Sequence, residues 1–137
     1  MPEVFLDTGG LFAALVSNDS KHGAARRALA EAGRRRQRFV TTEHVIDEAA
    51  TLFKARGKKH LAATLFDLTM RSQACTIAWT GQDRFCEAMT YFLAHDDHGY
   101  SFTDCVSFLV MTERGITEAF ATDRHFIEAG FSALLAD

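Results

Sequence analysis

The sequence predicts an α/β fold. One domain over residues 1–137 is expected, a three-layer α/β/α arrangement with a mostly parallel central sheet of about five strands. Two observations predict it. Short apolar runs of strand length recur five times, and the segments between them carry apolar residues at helical spacing. Acidic residues also fall at or just beyond the carboxyl ends of three of those runs, where open parallel sheets bind their ligands.

The elements follow in order. The first strand spans 3–7 (EVFLD), and residues Gly10 to Val16 form a short helix after it. A second helix runs from Ser20 to Ala32, with Ser20 as N-cap. The second strand is 38–41 (RFVT). Residues 43–56 and 58–71 read as two helices separated by Gly57, and the third strand is 75–79 (CTIAW). A helix over 82–94 stops at "HDDHGY". The next runs from Phe102 to Arg114 and is apolar nearly all round, which marks it as central; Gly115 closes it. Strand four is 118–121 (EAFA), a helix starts near Asp123 and ends by Gly130, and a weak fifth strand lies at 131–135.

Composition excludes several classes. With 47% hydrophobic and 24% charged residues and one proline, the chain is globular and not disordered. No apolar run approaches the roughly 18 residues of a membrane span, and no cationic-then-apolar export signal opens the chain. Cys75, Cys86 and Cys105 are an odd number at scattered spacings, as expected of reduced, mostly buried thiols in a cytoplasmic protein. The net charge of −3 hides an asymmetry, because residues 21–59 hold eleven of the fifteen basic residues and only four of the eighteen acidic ones. That block suits a polyanion. For "GRRRQR" alone, a solvated helix end whose arginines complement the dipole is an equally simple reading.

Four carboxylates stand in awkward places. Asp7 ends an apolar strand and opens a turn into a helix, where an N-cap would also use it. Glu48, in "TTEHVIDEAATLF", flanks the stripe of Val45, Ala49, Leu52 and Phe53; a boundary glutamate reaching solvent is the plain alternative. Asp104 opens the most apolar helix, and Ser101-x-x-Asp104 matches a capping box. Asp123 follows an apolar strand as Asp7 does. Each has a structural explanation alone, but in a parallel sheet these positions converge on one edge. Clustered carboxylates there would take up protons unless a cation neutralised them. Oxygen-only ligands select a hard ion, Mg²⁺ or Mn²⁺, which can prepare water to attack a phosphodiester.

The motifs "VFLDTGGLFAAL", "VTTEHVIDEAATLF", "GYSFTDCVSFLVM" and "AFATDRHFIEAGF", in that order and at these separations, resemble PIN domains, and within them the VapC-type ribonuclease toxins of toxin–antitoxin pairs. The resemblance covers essentially the whole chain. It implies a PIN-like fold and metal-dependent hydrolysis of RNA to a 5′-phosphate and a 3′-hydroxyl. It carries the catalytic, ion-holding acids onto Asp7, Glu48, Asp104 and Asp123. Thr8, Ser101 and Thr122 fall on supporting polar positions, and Asp97 is a possible accessory. Gly9 stands where serine is commoner. It further implies a VapB-like antitoxin whose tail wraps the protein, homodimerisation and growth arrest. Leu11, Phe12, Leu15 and Leu52 are candidates for the antitoxin contact, or are simply core. Arg34, Arg35, Arg36, Arg38, Lys54, Arg56, Lys58 and Lys59 are expected to track RNA phosphates next to the acidic pocket, and Arg124 to touch substrate or form a surface salt bridge.

Three other readings were weighed. Asp7-Thr8-Gly9 also spells the aspartic-protease signature, but that fold is mostly β and needs a second such loop or a symmetric dimer. The "HDDH" at 95–98 lacks partner histidines on other helices, and the remaining histidines form no H-x-x-x-H pair, so a surface loop is expected. A catalytically silent PIN-like RNA- or protein-binding module is the alternative function; four retained acids argue against it.

Overall fold

The computed structural model describes residues 2–137. Five strands, β1 (Glu3–Leu6), β2 (Arg38–Thr41), β3 (Cys75–Ile77), β4 (Glu118–Phe120) and β5 (Ser132–Ala133), form one sheet in the order β3-β2-β1-β4-β5, every pair parallel. The helices are α1 (Thr8–Leu15), α2 (His22–Arg34), α3 (Glu43–Ala55), α4 (Lys59–Arg71), α5 (Gly81–Ala94), α6 (Phe102–Arg114) and α7 (His125–Glu128). Crossovers between parallel strands are right-handed. The chain steps one way from β1 to β3 and the other way from β3 to β5, so α1–α4 cover one face and α5–α7 the other. The α1·α2, α3·α4 and α5·α6 packings follow that division.

The reversal has a chemical consequence. The chain leaves β1 toward β2 on one side, while β4 lies on β1's other side. The carboxyl ends of β1 and β4 therefore open a crevice, the switch point at which such sheets bind ligands. Asp7 follows β1 directly, and its amide crosses the crevice to donate to the Phe120 carbonyl at 3.2 Å. Below, alternation along β1 splits the core. Phe5 packs toward Phe126, and Phe126 meets Phe108 of α6 edge-on at 5.1 Å. Val4 and Leu6 turn to the opposite face.

Several element ends differ from expectation, each for a local reason. Strand β1 stops at Leu6, and α1 begins at Thr8 instead of Gly10. Gly9 and Gly10 can sit inside the first turn because close approach requires them there. A Cβ on Gly10 would lie 2.1 Å from the Phe120 carbonyl oxygen, and one on Gly9 2.3 Å from Thr122 Oγ1. Ser20 does not cap α2. The helix starts at His22 behind Lys21, with no side-chain cap, because Asp19 instead takes the Lys21 amide at 2.9 Å in the preceding turn. Strands β3 and β5 are shorter than their apolar runs, and α7 is a single turn confined to His125–Glu128. The α6 boundaries match expectation, with Gly115 at φ 68° closing the helix. No helix among the described residues is long and apolar enough to cross a membrane.

Candidate active site

Each candidate acid reaches the crevice by a different route. Asp7 holds the N-cap position of α1, yet its side chain makes no capping hydrogen bond. Only 6% exposed, it faces the crevice. Asp104 is fixed by the capping box of α6: its amide donates to Ser101 Oγ and its Oδ2 accepts from the Ser101 amide, both at 3.0 Å. Asp123 ends the β4 segment, and its Oδ1 accepts from the His125 amide at 2.9 Å. Glu48 comes in from α3, exposed at the rim; the Thr42 hydroxyl fixes the start of that helix by accepting from the Val45 amide at 3.3 Å.

Together these residues line one open cavity of about 280 Å³ with Thr8, Gly9, Gly99, Ser101, Thr122 and His125. All four acids and the three supporting residues Thr8, Ser101 and Thr122 are thus brought together. Asp97 is not: it lies exposed in the loop before α6, 3.9 Å from His98 Nε2. The two histidines of "HDDH" are committed to packing. His95 stacks on Tyr91 at 3.9 Å, and His98 stacks on Tyr100 while its Nδ1 lies 3.1 Å from Glu128 Oε1.

The electrostatics are those of crowded anions. Burial, reinforced by Asp104 and then by Glu48 and Asp123, pushes the Asp7 carboxyl from 3.8 up to about 7, with the Thr8 amide partly opposing. Thr8 Oγ1 is buried in the same cavity and has no hydrogen-bond partner among the described residues. An orphaned hydroxyl beside mutually repelling carboxylates is a set of oxygens that fits a cation. Asp104, Asp123 and His125 each offer one ligand atom within 4.8 Å of the others. The carboxylate and hydroxyl oxygens of this group suit a hard divalent cation.

His125 is the residue the sequence reading missed. It was set aside with the dispersed histidines because no H-x-x-x-H pair contained it. The available signal was its place two residues after Asp123, where a short turn returns the side chain to the same crevice.

The basic block divides. Arg34, Arg35, Arg36 and Arg38 close α2 and enter β2, which places them at the amino edge of the sheet, opposite the acidic crevice. Arg34 and Arg35 pair with Glu31, and Arg38 donates to the Gln73 carbonyl. Their expected place beside the acidic pocket is corrected: they stand at the amino ends of the strands, and the strands' length lies between them and the pocket. Lys54, Lys58 and Lys59 surround the α3–α4 turn. Arg56 alone of the eight reaches the site's neighbourhood. Its guanidinium lies 5.5 Å over the Phe12 ring, and with Lys21 it lines a second cavity that shares Gly9 and Thr122 with the acidic one. Arg124 Nη1 donates to the Asp137 carbonyl at 2.9 Å. Leu11 belongs to the buried core, while Phe12, Leu15 and Leu52 are half-buried. Of the cysteines, Cys105 is buried, Cys75 half-buried and Cys86 exposed.

Comparison with known proteins agrees with this fold. The family model described as PIN domain matches residues 4–132. The chain is 33% identical over 128 residues to the 23S rRNA-specific endonuclease VapC20 of Mycobacterium tuberculosis, from strain H37Rv and from strain CDC 1551 / Oshkosh alike, covering 93% of this chain and 95% of the relative. The crystal structure of Mycobacterium tuberculosis VapC20, described as a sarcin–ricin loop cleaving toxin, superposes with a TM-score of 0.86 at 30% identity over 93% of this chain and 95% of that one. With the family model spanning nearly the whole fold and a relative matched end to end, the chain belongs to the PIN-domain family.

Proposed function

We propose that this protein is a divalent-metal-dependent ribonuclease, the VapC-type toxin of a toxin–antitoxin pair. The observation that carries the reading is the convergence of Asp7, Glu48, Asp104 and Asp123 on one crevice, with a buried carboxyl and an orphaned hydroxyl among them. Asp7 and Asp104 hold the ion, and Glu48 and Asp123 complete the acidic pocket directly or through water. Bound Mg²⁺ or Mn²⁺ supplies the positive charge that polarises the phosphodiester, makes water a competent nucleophile and steadies the leaving 3′ oxygen. The protein's own share is placement. Buried Asp7 and Asp104 keep their carboxylates in a region of low dielectric, where charge interacts strongly. Exposed Glu48 bounds the open side, by which a polynucleotide enters. Arg56 and Lys21, in the adjoining cavity, suit the phosphate next to the scissile one.

Purified protein should cleave RNA only with Mg²⁺ or Mn²⁺ present, leaving 5′-phosphate ends. Asp104→Asn should lower the rate roughly 100-fold or more. Unchanged cleavage by that variant would refute the assignment. The 23S rRNA on which the relative acts is the first substrate to assay, with sequencing of the ends produced.

Two partners belong to the same reading. An apolar cavity of about 290 Å³ opens between α1, α2 and α4, with Leu11, Leu15, Leu29 and Leu68 in its wall. It suits an apolar stretch of the antitoxin tail. On the other face, Phe85, Met89, Phe92 and Leu93 of α5 stand exposed at the i, i+4, i+7, i+8 spacing of a helix-packing stripe. Pairing of two copies would cover it. Light scattering should report a dimer, and Met89→Lys should give a monomer; a wild-type monomer at micromolar concentration would exclude this pairing.

A further inference from the structure

We propose that His125 is the positioning residue of the acidic site: its Nδ1–H holds Asp104 while its main-chain amide holds Asp123, so that their remaining oxygens can share one ion. The inference rests on the metal-dependent reading above but concerns a residue that reading does not use.

The geometry is specific. His125 Nδ1 lies 3.0 Å from Asp104 Oδ2 and 3.2 Å from Asp123 Oδ2, while the His125 amide donates to Asp123 Oδ1 at 2.9 Å. An ionised carboxylate only accepts hydrogen bonds, so the nitrogen bonded to Asp104 Oδ2, with Asp123 Oδ2 close by, carries the proton. Asp104 Oδ2 is then saturated by two donors, the Ser101 amide and the imidazole, and Oδ1 is left uncommitted among the described residues. Two carboxylates this close repel, and without one residue donating to both their side chains would turn apart.

The ring is itself held. Tyr100, 7% exposed, meets it edge-on at 5.5 Å, and Tyr100 is braced by Phe108 at 5.0 Å and stacked on His98 at 4.6 Å. Gly99 leaves the space beside Nε2: a Cβ there would stand 3.3 Å from that nitrogen. This is the arrangement by which groups behind the ligands fix ligand orientation, and losing such a group costs about 10–100-fold in metal affinity.

The test separates this role from ligation and from packing. Asparagine puts an N–H donor close to where Nδ1 stands, whereas glutamine extends its donor past that point. Mn²⁺ and Mg²⁺ affinities are measured calorimetrically on RNA-free protein, with thermal unfolding of the metal-free form. His125→Gln should weaken both ions roughly 10–100-fold, and His125→Asn should stay within a few-fold of wild type. In cleavage assays the His125→Gln loss should fall on kcat, with KM for RNA unchanged. Wild-type affinity in His125→Gln, or equal losses in both variants, would overturn the proposal. A loss confined to Mn²⁺ would also overturn it, by making the ring a ligand. If the variants fail to fold, ¹⁵N NMR of metal-free wild type decides: an Nδ1-bound proton is expected, and a bare Nδ1 is fatal. None of these binding readouts depends on which RNA is cut, or on whether RNA is cut at all.

Discussion

Asp7 shows what one residue's environment can do to its chemistry. A carboxyl that titrates near 7 instead of 3.8 binds its proton more tightly in the folded chain than in the unfolded one. Metal-free stability attributable to Asp7 is therefore complete below about pH 4 and falls as pH rises through 7, by on the order of 4 kcal/mol. Carboxylates held low by partners, such as Glu3 beside Arg114, act with the opposite sign, but below about pH 5. Between pH 5 and 8 the melting temperature of metal-free protein should drop. Adding Mg²⁺ should restore it mainly at the alkaline end, and Asp7→Asn should flatten the metal-free profile and raise it at pH 8. A metal-free melting temperature that rises across this window would contradict the account. Gly10 makes a second prediction at this scale. Because the obstacle to a Cβ is the Phe120 main-chain oxygen, which cannot rotate away, Gly10→Ala should cost about 1–3 kcal/mol in denaturant unfolding. Gly9 is opposed only by a threonine side chain, so alanine there should cost less, and less again beside Thr122→Ser, if the close oxygen can turn.

At the level of elements, α6 joins stability to the site. Its capping box satisfies the first turn and at the same time aims Asp104 into the crevice. Ser101→Ala should lower stability by about 1 kcal/mol and weaken metal binding as well, because Asp104 Oδ2 would keep the amide contact while its helix start loosens. An unchanged metal affinity would separate the two roles. Helix α5 is anchored differently. Glu43 at the start of α3 accepts from the Thr80 amide at 2.9 Å and the Thr80 hydroxyl at 2.6 Å, tying the two helix starts across the sheet edge. Glu43 is thus a tertiary clamp: burial pushes its carboxyl up, and the hydrogen bonds from Thr80 outweigh that and leave it below the usual value.

Over the whole molecule, charge is arranged by sheet polarity. Acids gather at the carboxyl edge, and the densest run of arginines sits at the amino edge. Replacing Arg34, Arg35 and Arg36 together by alanine should leave cleavage of a short RNA near the wild-type rate. Arg56→Ala should raise KM roughly tenfold with a shallower salt dependence. The reverse result would put the substrate on the opposite edge. The alternating elements, the central helix with its cap and stop, and the places of four acids at or near strand ends and helix starts were legible in the sequence, because periodicity, capping chemistry and turn residues act over a few neighbouring positions. The Ser20 cap was misread because Asp19, one residue earlier, won the Lys21 amide.

Residue types and their local spacing already say which side chains carry charge and in what element each stands. Which of them meet is set by the three-dimensional packing alone. Strand order reversed at β1 and β4 to open the crevice, the length of the parallel strands kept four arginines at the opposite edge, and a one-turn helix swung His125 into it. The physical reason is range. Local patterns fix backbone geometry over a turn or two, whereas electrostatic coupling and metal ligation depend on a few ångströms between residues a hundred positions apart, and packing alone sets that distance.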